Sequence, residues 1–114
     1  MAITGAHVLL YSSEPDALRS VLGDVFGWQH VDAGGGWLIF GLPPAEIAVH
    51  PAEAPSHELT LLCDDLTATI EELRAKGIEV KGEPAEQRWG ITITIVLPGG
   101  LDVMLYQPLH PTAI

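Results

Sequence analysis

Apolar and polar residues alternate along this chain in a pattern that predicts the same set of elements twice. In the first half, the apolar run at residues 6–12 is typical of a strand. The stretch SSEPDALRSVLGDVFG at residues 12–27 places apolar residues at helical spacing and ends at a glycine, which predicts a helix. Three short strands are then predicted at about 28–32, 37–41 and 45–50, separated by turns at three glycines and two prolines.

The second half repeats this order after a polar, proline-containing linker at about residues 52–56. Residues 57–63 are predicted to be a strand, and DDLTATIEELRAKG at residues 64–77 predicts a helix with aspartates at its start and a glycine stop. Three more strands are predicted at about 78–82, 90–97 and 101–106, with a hairpin turn at the LPGG motif. The tail, residues 109–114, contains proline and is expected to be irregular.

Matching landmarks indicate that the two halves are copies of one module. His7 and Gly27 are 20 positions apart, as are His57 and Gly77. Each half reads β-α-β-β-β, with module one at about 5–51 and module two at about 57–108. A unit of this size buries too little surface alone. We therefore expect the two modules to pair, within one chain or between chains, and to leave a cup between their sheets.

Composition narrows the classes of function. The 114 residues suit a single domain, and 47% of them are hydrophobic, which is ample for a core. The net charge of -10, with only five Lys and Arg, disfavours nucleic-acid binding and is compatible with a cationic or neutral ligand. A lone cysteine, Cys63, excludes an internal disulfide and a cysteine-rich zinc site, and it is expected to be a buried, unreactive thiol.

The chain carries no stretch that predicts a membrane span or a secretion signal. No run approaches the roughly 20 apolar residues that a transmembrane helix needs. The N-terminal MAITGAHV has neither a basic region nor an apolar signal core. We therefore expect a cytoplasmic protein with no membrane partner.

With these features the chain resembles the vicinal oxygen chelate (VOC) superfamily, which includes glyoxalase I, bleomycin-resistance proteins, fosfomycin-resistance enzymes and extradiol dioxygenases. The resemblance rests on the doubled βαβββ pattern and on the motifs AHVLLYS, HELTLLCDD and LPGGLDVMLYQP. It implies an α+β fold in which two βαβββ modules form a half-open barrel or cup. It also implies a homodimer, whose cleft draws residues from both chains.

The resemblance further implies a divalent metal in the cup, held by the first and last strands of each module. His7 and His57 match the first-strand positions, but Met104 stands where a last-strand glutamate is usual, and the other such position falls near Ala48. A third ligand would then come from Glu46 or His50, which share a strand face with Ala48. A site completed in this way would hold Zn, Mn, Ni, Fe or Mg.

In the simpler interpretation no metal is bound, and the two histidines line the cup and bond to water or backbone. Two imidazoles without a carboxylate make a weak site for a hard cation, which favours this interpretation.

Aromatic and apolar side chains are the candidates for ligand contact. Aromatic walls suit planar or hydrophobic small molecules, although core packing is the usual role of such residues. Trp37 and Trp89 hold similar places in the two modules. Met104 and Tyr106 share one face of the last strand, and Arg88 is one of the few positive residues available to orient an anionic substrate.

Two functions therefore remain open. The first is a small-molecule-binding protein similar to the drug-sequestering resistance proteins, with a degenerate metal site. The second is a metal-dependent lyase, isomerase or dioxygenase of the glyoxalase type, which would use His7, His57 and a third ligand. The identity of the small molecule stays open in both.

Overall fold

The computed structural model describes residues 5–114. In chain order its elements are helix α1 (Pro15–Ser20), a π-helical turn (Val21–Val25), strands β1 (His30–Asp32), β2 (Leu38–Phe40) and β3 (Thr60–Leu62), helix α2 (Leu66–Ala75), and strands β4 (Glu79–Glu86), β5 (Gly90–Leu97) and β6 (Leu101–Pro108). The chain is thus α+β, as predicted, and its sheets are open, not closed into a barrel.

The second half forms a four-stranded sheet in the order β3-β6-β5-β4. β3 is parallel to β6, whereas β6, β5 and β4 are antiparallel neighbours. One face of this sheet packs against α2. Nine of the ten buried apolar side chains lie in this half and form one cluster with Leu18 of α1. The stability of the chain therefore resides mainly in module two.

Helix α2 forms where its sequence predicts it. The side chain of Asp65 caps the N-terminus by accepting a hydrogen bond of 3.1 Å from the backbone N–H of Ala68. Leu66, Ile70 and Leu73 follow at helical spacing and are buried against the sheet. Gly77 follows the helix with a φ of 84°, a conformation that glycine adopts at little cost.

The first half is packed more loosely. Helix α1 is short and runs into the π-helical turn, so the single predicted helix at 12–27 is an α-helix only over Pro15–Ser20. β1 and β2 form a two-stranded antiparallel hairpin across the glycine turn. Two hydrogen bonds attach the start of α1 to the β5–β6 turn, from Ser12 Oγ to Pro98 O and from Gly99 N to Glu14 Oε2.

Two predicted strands of the first module are absent from the part of the chain that the structure describes. Neither residues 6–12 nor residues 45–50 belong to a sheet. The strand predictions for these two segments are therefore wrong for the isolated chain. Strand formation requires a neighbouring backbone, and periodicity along the sequence does not supply one. The remaining predicted strands are present, although several are shorter than expected.

No helix within residues 5–114 is long and apolar enough to cross a membrane.

Candidate functional site

The side of the four-stranded sheet that faces away from α2 is the candidate site, and we call it the open face. Side chains alternate across a strand, so the burial of Ile93, Ile95, Val103 and Leu105 against α2 places the intervening residues on the other side. Two cross-strand rows result from the register. One row is Thr60, Met104, Thr94 and Lys81, and the other is Leu62, Tyr106 and Thr92.

An aromatic pair occupies one end of the open face. The rings of Trp89 and Tyr106 meet edge to face with their centroids 5.4 Å apart. Gly90 permits this arrangement, because a Cβ there would lie 3.1 Å from Tyr106 Cδ2 and 2.8 Å from the backbone oxygen of Gln107. Trp89 remains 43% exposed, so the pair presents an apolar surface to solvent.

The C-terminal tail lies beside this aromatic pair, and the segment that carries Glu46 is hydrogen-bonded to the tail. The ring of His110 lies 6.2 Å from that of Tyr106, and the backbone N–H of Leu109 donates to the carbonyl of Trp89. Glu46 accepts a 2.6 Å hydrogen bond from the backbone N–H of Ala113. Burial raises the pKa of the Tyr106 phenol, and the negative charge of Glu46 raises it further.

The other end of the open face is charged. The ammonium of Lys81 reaches over β5 and donates a 2.9 Å hydrogen bond to Asp102, which raises the pKa of Lys81. Both side chains are about half exposed, so the pair contributes little to stability. Between the two ends, Met104 is partly exposed and offers a flexible thioether to a ligand. The open face therefore combines an aromatic end, an apolar centre and a polar end.

A cleft of about 480 Å³ lies beside the aromatic pair, between the end of β3 and the tail. Its lining consists of Leu62, Cys63, Asp64, Gln107, Pro108, His110 and Thr112. This volume is within the range of small-molecule sites. Cys63 is half-buried and not fully buried as expected, and burial raises the pKa of its thiol, which favours the protonated, less nucleophilic form.

The predicted metal ligands are not gathered into a cluster. His7, His57, Glu46 and His50 are all exposed and lie outside the strands. Nδ1 of His50 lies 2.8 Å from the carbonyl oxygen of Pro51. Among residues 5–114, no three His, Cys, Asp or Glu side chains come together as a metal site. The donor set that the resemblance implies for a divalent metal is therefore not assembled in the single chain, and the metal site stays a prediction.

The predicted ligand-binding residues divide between the two halves. Trp89, Met104 and Tyr106 are together on or beside the open face. Arg88 directly precedes Trp89 and is exposed in the β4–β5 loop. Trp37 precedes β2 in the other sheet, where the guanidinium of Arg19 lies 5.6 Å from the centre of its ring.

Glu58 and His110 are the residues that the sequence reasoning missed. Helices α1 and α2 begin at Pro15 and Leu66, which are 51 positions apart. Counted from the helix starts, Glu58 takes the place of His7 in the repeat, whereas the positive-φ glycines that follow the two helices, Gly27 and Gly77, are 50 positions apart and pair His7 with His57. Side chains alternate between the two faces of a strand, so Glu58, two positions before Thr60, falls on the same side as Thr60, which is the open face. This alternation could have been read from the sequence. His110 carried no comparable signal, because it lies in an irregular tail.

Neither a family model nor a curated protein matches this sequence. Solved structures do match its fold. TnmS3, an antibiotic-binding protein from Streptomyces sp. CB03234, is 23% identical, with a TM-score of 0.63 over 94% of this chain and 99% of that one. Lactoylglutathione lyase from Agrobacterium tumefaciens is 20% identical, with a TM-score of 0.62 over 94% of this chain and 95% of that one.

A glyoxalase/bleomycin resistance protein/dioxygenase from Nocardioides is similar as well. It is 15% identical, with a TM-score of 0.62 over 96% of this chain and 89% of that chain. These similarities extend over nearly the whole length of each protein, so they concern the complete arrangement of both halves. The chain has the fold of the vicinal oxygen chelate superfamily, which confirms the fold that the sequence resemblance implied.

Proposed function

We propose that this protein binds an apolar, aromatic small molecule on the open face, as a metal-independent binding protein of the VOC fold. The observation that carries the proposal is the exposed Trp89–Tyr106 pair, which shares the open face with Met104. An aromatic wall next to a flexible thioether suits a planar ligand, and a shallow cleft adjoins the aromatic pair. The similarity in fold to an antibiotic-binding protein supports this choice of ligand class.

The polar environment of the site limits the ligand further. The net charge of -10 does not favour an anion, whereas Lys81 and Asp102 provide one donor and one acceptor at the far end of the open face. A neutral or cationic polycyclic molecule with a polar group at one end matches this distribution. We further propose that the protein is cytoplasmic and acts as a homodimer without nucleic acid or membrane as a partner.

Trp89 fluorescence tests the proposal directly. In a Trp28→Phe/Trp37→Phe background, Trp89 is the sole tryptophan and reports on the open face. Titration with a panel of polycyclic aromatic antibiotics should give saturable quenching by at least one compound. Replacing Tyr106 by Ala should weaken that binding by at least about tenfold, because one wall of the aromatic pair is lost.

Thr67→Ala, on the exposed side of α2, is the control and should bind as the parent does. If no compound gives saturable quenching, or if Tyr106→Ala binds as tightly as the control, the open face is not the binding site.

Metal content separates this proposal from the alternative, a metal-dependent enzyme of the glyoxalase type. Protein purified without chelator should contain far less than one divalent metal ion per chain, and EDTA should leave ligand binding unchanged. Near-stoichiometric metal that disappears in folded His57→Ala or Glu58→Ala protein would instead support the enzyme. Glu71→Ala is a matched control, since it removes an exposed acidic side chain from the same half, away from the site.

A further inference from the structure

Residues 109–114 follow β6 and form one side of the cleft beside the aromatic pair, and we call them the strap. His110 and Thr112 line the cleft from the strap, and Leu62 and Cys63 line it from the end of β3. The ring of His110 lies 6.2 Å from that of Tyr106. The width of the cleft therefore depends on the position of the strap.

Within residues 5–114, two hydrogen bonds attach the strap to the rest of the chain. The backbone N–H of Leu109 donates a 2.9 Å hydrogen bond to the carbonyl of Trp89, directly after β6. The backbone N–H of Ala113 donates a 2.6 Å hydrogen bond to the carboxylate of Glu46. Leu109 is thus anchored at the sheet, whereas Ala113 is held by a single side chain, and we call this second bond the latch.

The latch is not supported by buried packing. Every residue of the strap is exposed, and the apolar side chains of Leu109 and Ile114 are 50% and 56% exposed. Glu46 is also exposed and lies outside the strands. A segment with few buried apolar contacts and solvent-exposed hydrogen bonds opens at little free-energy cost. Loss of the latch is therefore sufficient to release the strap beyond Leu109.

We propose that the strap gates the cleft, which it narrows while Ala113 is bonded to Glu46 and opens by swinging about Leu109 when this bond breaks. Opening widens the cleft at Cys63 and frees the side of Tyr106 that His110 approaches. A small molecule then enters and leaves through the open state. The control of ligand exchange rests on the proposed binding function, whereas the opening of the strap does not.

Cys63 reports the opening without any ligand, because it is the only thiol of the chain and lines the cleft. The protein is reacted with N-ethylmaleimide, a neutral reagent whose approach does not depend on the charge that a variant removes. Glu46→Ala deletes the acceptor of the latch and should raise the rate constant about fivefold, the factor expected for loss of one exposed hydrogen bond. Glu53→Ala removes the same charge from the exposed linker and should react as the parent does.

Ala113→Pro breaks the latch from the strap, because proline has no N–H to donate. It should accelerate the reaction as Glu46→Ala does. Ala113→Gly and Glu46→Gln keep the donor and the acceptor, and they should react at close to the parent rate.

Two other causes of a faster reaction are separated from opening of the strap. Burial, and then the charges of Asp64 and Asp65, raise the pKa of the Cys63 thiol, so loss of Glu46 does not act through its ionisation. Urea denaturation gives the free energy of unfolding of each variant. Equal values exclude global unfolding as the route by which the reagent reaches Cys63.

The rates of ligand exchange test the gate itself. In the Trp28→Phe/Trp37→Phe background, stopped-flow fluorescence of Trp89 follows the compound that quenches it most strongly. Glu46→Ala should raise the association and dissociation rate constants by similar factors and leave the Kd within about threefold, because a gate retards entry and exit alike. A fixed wall of the site would instead lose only residence time.

Equal thiol reaction rates for Glu46→Ala and Glu53→Ala would overturn the proposal. So would a Glu46→Ala protein whose dissociation is faster while its association is unchanged. Faster thiol reaction in Glu46→Ala and Ala113→Pro, with no compound that quenches Trp89, would support the opening strap and contradict the binding function.

Discussion

At the residue scale, Tyr106 is the residue that connects the separate parts of the candidate site. Its ring contacts Trp89 and lies close to His110, and its backbone oxygen lies 3.7 Å from the thiol sulfur of Cys63. Glu46, 60 positions earlier in the chain, acts on its phenol through charge. Sequence reasoning selected Tyr106 because it shares a strand face with Met104. It did not connect Tyr106 with Glu46, because no local pattern links a strand to a segment so distant.

The ionisation of Tyr106 tests this electrostatic effect of Glu46. The pKa of its phenol lies above the ordinary 10.0, so the folded state favours the neutral form. The stability that this preference contributes is complete below about pH 10 and is lost as the pH rises through the folded-state pKa. In a Tyr11→Phe background, Tyr106 is the sole tyrosine, and its absorbance at 295 nm can be titrated alone.

Glu46→Gln should lower the pKa of Tyr106 but leave it above the ordinary value, because the effect of burial remains. The control is Glu53→Gln, in the exposed linker, which should titrate as the parent does. Identical titration curves for the two variants would show that Glu46 does not lie near Tyr106 in solution.

At the scale of single elements, α2 and the hairpin of β5 and β6 form where local chemistry predicts them. Asp65 caps α2, the helix buries one stripe, and the PGG turn joins two strands of matched length. Residues 6–12 and 45–50 have equally clear strand patterns but have no neighbouring strand in the described chain. A helix satisfies its own backbone, whereas a strand depends on a neighbour.

Loss of the N-cap of α2 should therefore lower the free energy of unfolding by a measurable amount. Asp65→Ala removes the acceptor for the Ala68 N–H and should reduce the free energy of unfolding by about 1 kcal/mol. Asp64→Ala removes the same charge one position earlier, outside the cap, and should change the free energy by less than about 0.5 kcal/mol. Urea denaturation followed by circular dichroism measures both values. Equal losses would mean that charge, and not the cap, stabilises the helix.

At the scale of the whole molecule, the chain consists of a well-packed second half and a more loosely packed first half. All but one of the buried apolar side chains belong to module two, and the exposed apolar segments belong to module one. The repeat predicted two equivalent modules. In the structure the two halves are unequal, because the buried core lies mainly in the second.

Substitutions of buried and exposed residues should differ in how much stability they remove, in line with a core that lies in the second half. Ile95 is fully buried at the centre of β5, so Ile95→Ala should cost about 3–4 kcal/mol through lost burial and a cavity. Ile114→Ala makes the same chemical change at an exposed terminal position and should be close to neutral. Urea denaturation at a fixed protein concentration compares them. A small loss for Ile95→Ala would contradict a core centred on module two.

The sequence by itself determined the α+β class, the position of α2 and the strands of module two. Each of these follows from periodicity, caps and turns that act within about ten residues. Only the tertiary structure decided that the ring of Trp89 meets that of Tyr106 beside Gly90 and that the charge of Glu46 acts on the Tyr106 phenol. It also decided that two apolar segments with strand patterns lie exposed. Strand register and the approach of distant segments depend on which backbones and side chains pack together, and local sequence patterns do not encode that choice.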